Sequence, residues 1–297
     1  MIVQERIPEP SNPLGIDGIE FIEYATSRPQ EFGAVLEKMG FAAVARHRSR
    51  EVMLFRQGSM NLIVNAHPDA LPGMSGPTET PELKAIALRV RDAGQAWRHA
   101  QDLGAWGMPT RASAMELNIP GIHGAGDSLI YFVDRHKEFS IYDVDFFPVP
   151  DAARNPPAIA GLHYFGIVQT LYDERTSDWL DFYQQLFGFS VLPGGQYFGI
   201  MPKGTLLESP CHKFYLQLIE PPPGAEDINW EEGLLRIGLG APDVLAATRA
   251  LDKRGVVFVD RGPLHASEKG ALTQVYFGGV TFELVVSHLQ PERTGQP

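Results

Sequence analysis

The sequence predicts an α+β protein built from four βαβββ modules that form two tandem domains. Three observations carry this reading: an internal repeat, a strand-then-helix order in every unit, and short alternating strands after each helix. Residues 18–41, GIEFIEYATSRPQEFGAVLEKMGF, and residues 166–189, GIVQTLYDERTSDWLDFYQQLFGF, share one plan in equal length. Each reads as an alternating strand, a short turn, an amphipathic helix and a Gly-Phe stop. Gly18 falls opposite Gly166, and Gly40-Phe41 opposite Gly188-Phe189. A period of this kind marks a repeated supersecondary unit.

Taken in order, the first strand-helix unit is followed by EVMLFRQG and MNLIVNA, both suited to antiparallel strands. The second unit, LKAIALRVRDAGQAWRHAQDLGA at 83–105, is followed by SLIYFVDR and FSIYDVDFF, also read as strands. KFYLQLIE follows the third unit. The fourth, LLRIGLGAPDVLAATRALDKRGV at 234–256, is followed by ALTQVYFGG and VTFELVVS. In the second and fourth units Asp92 and Asp243 occupy matching N-cap positions, and Gly104 and Gly255 mark matching helix ends. The aperiodic stretch VPDAARNPPA at 149–158 reads as a linker, which divides the chain into domains at 1–150 and 151–297. The length lets each domain bury its own core. A βαβββ unit leaves one sheet face unpaired, so two units combine into a curved sheet with a pocket on its concave side and helices outside. A ferredoxin-like packing of the same elements is the competing arrangement.

Composition narrows the partners. The 36 acidic against 25 basic residues give a formal charge of −11, which lacks the footprint of a nucleic-acid binder. Cys211 is the single cysteine, and no run approaches the ~20 apolar residues of a membrane span. The start MIVQERIPEPSNP has no basic, apolar pattern of a signal peptide, so a cytoplasmic protein with small-molecule partners and no membrane partner is expected. A homo-oligomer is compatible with a sequence that is silent on association.

The order NPLGIDGIEFIEYA, MGFAAVARHRSREVMLFRQGSMNLIVNAHP, MELNIPGIHGAGDSLIYFVDR and SIYDVDF, over about residues 12–147, resembles the N-terminal domain of bacterial 4-hydroxyphenylpyruvate dioxygenases. These belong to the vicinal oxygen chelate superfamily, and the resemblance implies two such domains here. It also implies a C-terminal Fe(II) held by two histidines and a glutamate, with coordination positions left open for a 2-oxo acid and O₂. It further implies a closing helix beyond Val286, where this sequence continues only briefly. Counting back without a gap from Phe182-Tyr183, the first ligand position is Gly166, preceded by Phe165. The second is Arg236, a permanent cation without a lone pair to donate. The third is Glu283, in Thr281-Phe282-Glu283. The internal repeat sets these opposite Gly18, Ala85 and Asp143 in the N-terminal half.

His163 precedes Gly166 by three residues, so strand alternation turns it to the other face unless a bulge intervenes. His212 and His288 lie near strand ends without ligand spacing. The expectation is therefore a site without a cofactor, in which Arg236 pairs with Glu283 or holds the carboxylate of a small aromatic or 2-oxo acid. Glu283 is then a general base, and Gln217 and Gln274 supply neutral hydrogen bonds if they face inward. The activity would be of a lyase or isomerase type, or the chain a non-catalytic homologue. Gln217-Leu218-Ile219 stands where the family carries Pro-Leu-Asn, which argues against 4-hydroxyphenylpyruvate itself. The alternative is a Fe(II) or other divalent-metal dioxygenase in which His163 joins Glu283. MELNIPGIHGAG lacks the strand-before, helix-after setting of a phosphate loop and reads as a turn. Trp97 and Trp179 read as core residues on helices.

Overall fold

The computed structural model describes residues 11–68, 76–108, 117–126, 128–137, 139–194, 199, 204–222, 224, 230–261 and 264–287. The first half contains β1 (Ile19–Ala25), α1 (Pro29–Lys38), β2 (Ala42–His47), β3 (Val52–Gln57), β4 (Met60–Asn65), β5 (Glu82–Arg89), α2 (Ala93–Asp102), β6 (Gly121–His123), β7 (Leu129–Val133), α3 (Ile141–Asp145) and β8 (Phe146–Pro148). The second half contains β9 (His163–Thr170), α4 (Thr176–Phe187), β10 (Ser190–Val191), β11 (Thr205–Glu208), β12 (Tyr215–Ile219), β13 (Gly233–Ala241), α5 (Val244–Asp252), β14 (Gly270–Leu272) and β15 (Phe282–Val286).

Local signals place the helices. Asp92 and Asp243 accept the backbone N–H groups of Gln95 and Ala246 at 2.8 Å, which caps α2 and α5. Gly188 ends α4 at φ +77°, a left-handed conformation that costs glycine nothing. Phe32, Val35 and Leu36 lie on the buried side of α1, and Trp179, Tyr183, Leu186 and Phe187 on that of α4.

The strands form two sheets, ordered β6-β7-β5-β1-β4-β3-β2-β8 and β10-β11-β12-β9-β13-β15-β14. In each sheet the first strands of two modules meet antiparallel, β1 with β5 and β9 with β13. Each of these pairs in parallel with the last strand of its own module. This is the paired-module arrangement, and the ferredoxin-like alternative is set aside. No helix among the described residues is long and apolar enough to cross a membrane.

Three expectations change. FSIYDVDFF is not one strand: Ile141–Asp145 is a helical turn closed by a capping box between Ser140 and Asp143, and only Phe146–Pro148 extends, pairing with β2. The halves do not keep separate cores with their helices outside. One continuous apolar cluster takes residues from both sheets and from α1, α2, α4 and α5. Phe32 meets Phe277 and Phe132 meets Phe187 across the halves, with ring centroids 6.2 and 6.3 Å apart. The helix-side face of each half is apolar, so burying one against the other removes both from water. The stretch 149–158 is also tied down, since Gly58 donates its backbone N–H to Pro156 O and Arg56 bonds Arg154 O and Asn155.

Candidate functional site

The site lies on the concave face of the second sheet and follows from strand alternation. On β13, Ile237, Leu239 and Ala241 enter the core, which leaves Arg236, Gly238 and Gly240 on the other face. On β15, Phe282 and Leu284 are core residues and Glu283 faces the concave side. Gly238 pairs with both Gly166 and Glu283, so positions 166, 236 and 283 converge around it.

Arg236 Nε lies 3.2 Å from Glu283 Oε2, with side chains 7% and 5% exposed. The contact is at ion-pair distance, but the N–H is not aimed at an acceptor, and Nε is a buried donor without a hydrogen bond. Gly166, Gln217, Tyr215, Phe165 and Val285 line the pocket beside Glu283, whose free space is about 30 Å³. Tyr215 stacks obliquely on Phe165 at 4.9 Å and reaches Glu208 at 3.3 Å. Desolvation first, and then the Glu208 carboxylate, raise the Tyr215 phenol above its ordinary pKa. Gly199, at φ +69°, covers Glu283 so closely that a Cβ there would come within 2.1 Å of Oε1.

Gly166 is more than an absent imidazole. A Cβ at this position would sit 2.5 Å from the Tyr215 carbonyl oxygen, a backbone atom of the paired strand β12. The neighbouring strand therefore leaves no room for a side chain.

His163 departs from strand alternation. The β9–β13 register shifts between Gly238/Gly166 and Leu239/Tyr164, and this bulge brings His163 over Gly240, on the face that carries Glu283. Its ring is held elsewhere along that face. Nδ1 donates to Gly161 O at 3.0 Å, and Nε2, left as the acceptor, takes the Ser287 hydroxyl at 2.9 Å. Desolvation lowers its pKa, opposed by the Gly161 bond. Gln274 is exposed beyond β14 with its backbone N–H on Val257 O, away from the pocket. His212 is exposed beside Glu208, and His288 lies outside the described residues.

The first sheet corrects the repeat arithmetic. Ala87 pairs with Phe21 and Tyr131, as Gly238 pairs with Gly166 and Glu283. Phe21 and Tyr131, not Gly18 and Asp143, are thus the counterparts of Gly166 and Glu283, whereas Ala85 does hold the place of Arg236. β1 and β9 correspond at an offset of 145 and the Gly40/Gly188 helix ends at 148, so three extra residues lie between β9 and the end of α4. Asp143 is excluded because its segment is α3. Tyr215 was recoverable from sequence, since it shares a face with Gln217 two residues on. Gly199 and Ser287 carried no local signal, because long-range contacts place them.

Comparison with known proteins agrees with this architecture. The family model "Hydroxyphenylpyruvate dioxygenase, HPPD, N-terminal" matches residues 11–147. Hemolysin VllY of Vibrio vulnificus is 35% identical over 264 residues, covering 84% of this chain and 73% of that protein. The 4-hydroxyphenylpyruvate dioxygenase of Pseudomonas aeruginosa is 32% identical over 265 residues, with the same coverage of 84% and 73%. The chain belongs to the 4-hydroxyphenylpyruvate dioxygenase family. A solved xylose isomerase-like TIM barrel/4-hydroxyphenylpyruvate dioxygenase fusion protein shares the fold, with a TM-score of 0.72 at 22% identity. It is matched over 100% of this chain, which spans 53% of its length.

The three positions that the resemblance implies as iron ligands, counted without a gap, do not fit Fe(II). Glu283 is the one donor among them, Gly166 has no side chain and no space for one, and Arg236 places a positive charge against the lone carboxylate. Among the described residues, no three His, Cys, Asp or Glu side chains are grouped to hold a metal ion.

Proposed function

We propose that this family member binds a small aromatic or 2-oxo carboxylate without a metal, using Arg236 as the anchor and Glu283 as a general base. The observation that supports this most directly is the state of Arg236, a buried side chain whose Nε has no aligned acceptor. A buried donor left unmade is costly, and a carboxylate answers a guanidinium with two parallel charge-assisted hydrogen bonds. The free space of about 30 Å³ admits a small polar group, the scale of a carboxylate head. Phe165 and Tyr215 offer an aromatic surface for the rest of the ligand, and Gln217 a neutral hydrogen bond. Glu283, beside the anchored group, takes up a proton released next to the carboxylate. No step of this reading passes through a metal.

Calorimetric titration of chelator-treated protein with phenylpyruvate tests the reading. Wild type binds, Arg236→Ala weakens binding at least tenfold, and Glu283→Gln retains it. Equal binding by the Arg236 variant overturns the proposal, as does stoichiometric iron with O₂ uptake on aromatic 2-oxo acids.

A further inference from the structure

A cavity larger than the pocket at Glu283 lies elsewhere among the described residues. It opens in the first half, between α2 and the C-terminal end of β7, with a volume of about 630 Å³. That is the size of pockets that take whole organic ligands, commonly ~300–1,000 Å³. The space beside Glu283 is about 30 Å³.

Its lining is divided by chemistry. Met108, Val133 and Ile141 are buried apolar lining residues, and Phe132 adds the end of β7 to the wall. Trp97 adds an indole whose Nε1 is a buried donor without a hydrogen bond. At the rim stand two exposed arginines, Arg98 from α2 and Arg135 from the segment after β7. Among the described residues neither guanidinium forms an ion pair. The carboxylate next to them, Asp134, is committed to the start of α2, where its Oδ2 accepts the Ala93 N–H at 3.0 Å. In a chain of formal charge −11, this concave site thus combines an apolar body with a cationic mouth.

We propose that this cavity is a second small-molecule site, selective for an amphipathic aromatic anion. The ring system enters over Met108 and Ile141, and a carboxylate or sulfonate stays at the rim between Arg98 and Arg135. An aliphatic cation is rejected by the same two charges, and a fully polar anion forgoes the apolar lining. The site is independent of the reading given for Arg236 and Glu283, which lie in the other sheet.

The probe is 1-anilinonaphthalene-8-sulfonate, titrated into the full chain by calorimetry and by energy transfer from tryptophan. One molar equivalent binds the wild type, with affinity that falls as salt rises. Arg98→Glu with Arg135→Glu changes two exposed side chains and leaves the core untouched, so the fold survives, and Kd rises at least tenfold. Trp97→Phe lowers the energy transfer while binding persists. An unchanged Kd in the charge-reversed protein, or transfer that ignores the loss of Trp97, overturns the proposal.

Discussion

Removing the Arg236 guanidinium while keeping its bulk, as in Arg236→Met, should be among the most destabilising conservative changes in the second sheet. The two charges are 3.2 Å apart at Nε and Oε2 and almost wholly buried. At an effective dielectric of ~20 their attraction is about 5 kcal/mol, and desolvation of both ions offsets most of it in the intact pair. That cancellation fails when one partner goes, because Glu283 then stays buried without its counter-charge. The expected cost is ~3–5 kcal/mol. Neutralising both positions, as in Arg236→Met with Glu283→Gln, removes the unpaired charge along with the pair. This double variant should lie within ~1–2 kcal/mol of wild type. Urea unfolding of the four proteins closes the cycle and gives a coupling energy of ~2 kcal/mol or more. A coupling under ~0.5 kcal/mol, or an Arg236→Met cost under ~1 kcal/mol, would show that the charges do not sense each other as this geometry requires.

Gly166→Ala pushes a methyl group against the Tyr215 carbonyl, 2.5 Å away on a paired strand, and should cost ~1–3 kcal/mol in chemical denaturation; an unchanged midpoint refutes the steric reading. Glu23, buried on β1 with Asn65 donating to its Oε1 at 2.7 Å, is pushed up by burial to about 6 from 4.5. An acid whose folded value is raised gives stability that is complete below pH 4.5 and lost as pH climbs through 6. Glu23→Gln should therefore stabilise the protein by ~2 kcal/mol at neutral pH and flatten that part of the pH profile, as read from Tm between pH 4 and 8. A variant that is less stable at pH 7 contradicts it.

Much of the fold is written in short windows of sequence. Asp92 and Asp243 cap helices because their side chains reach backbone donors three residues on, and Gly40 and Gly188 end helices because a positive φ suits them; these are local events. The segment at Ile141–Asp145 was misjudged because five alternating residues fit a strand as well as one helical turn, and a capping box settles the matter. At the site, alternation alone correctly sets Glu283 apart from Phe282 and Leu284. The same rule fails at His163, where a bulge in the β9–β13 pairing, rather than anything within β9, reverses the face.

The linear sequence by itself determined the modules and their order, and it set an arginine and a glycine where the resemblance, counted without a gap, implies imidazoles. Whether those residues met, and whether position 166 had room for anything larger than hydrogen, was decided only when strands distant in the chain were laid side by side. Register and bulges depend on which backbone pairs with which, and no window of a few residues contains both partners.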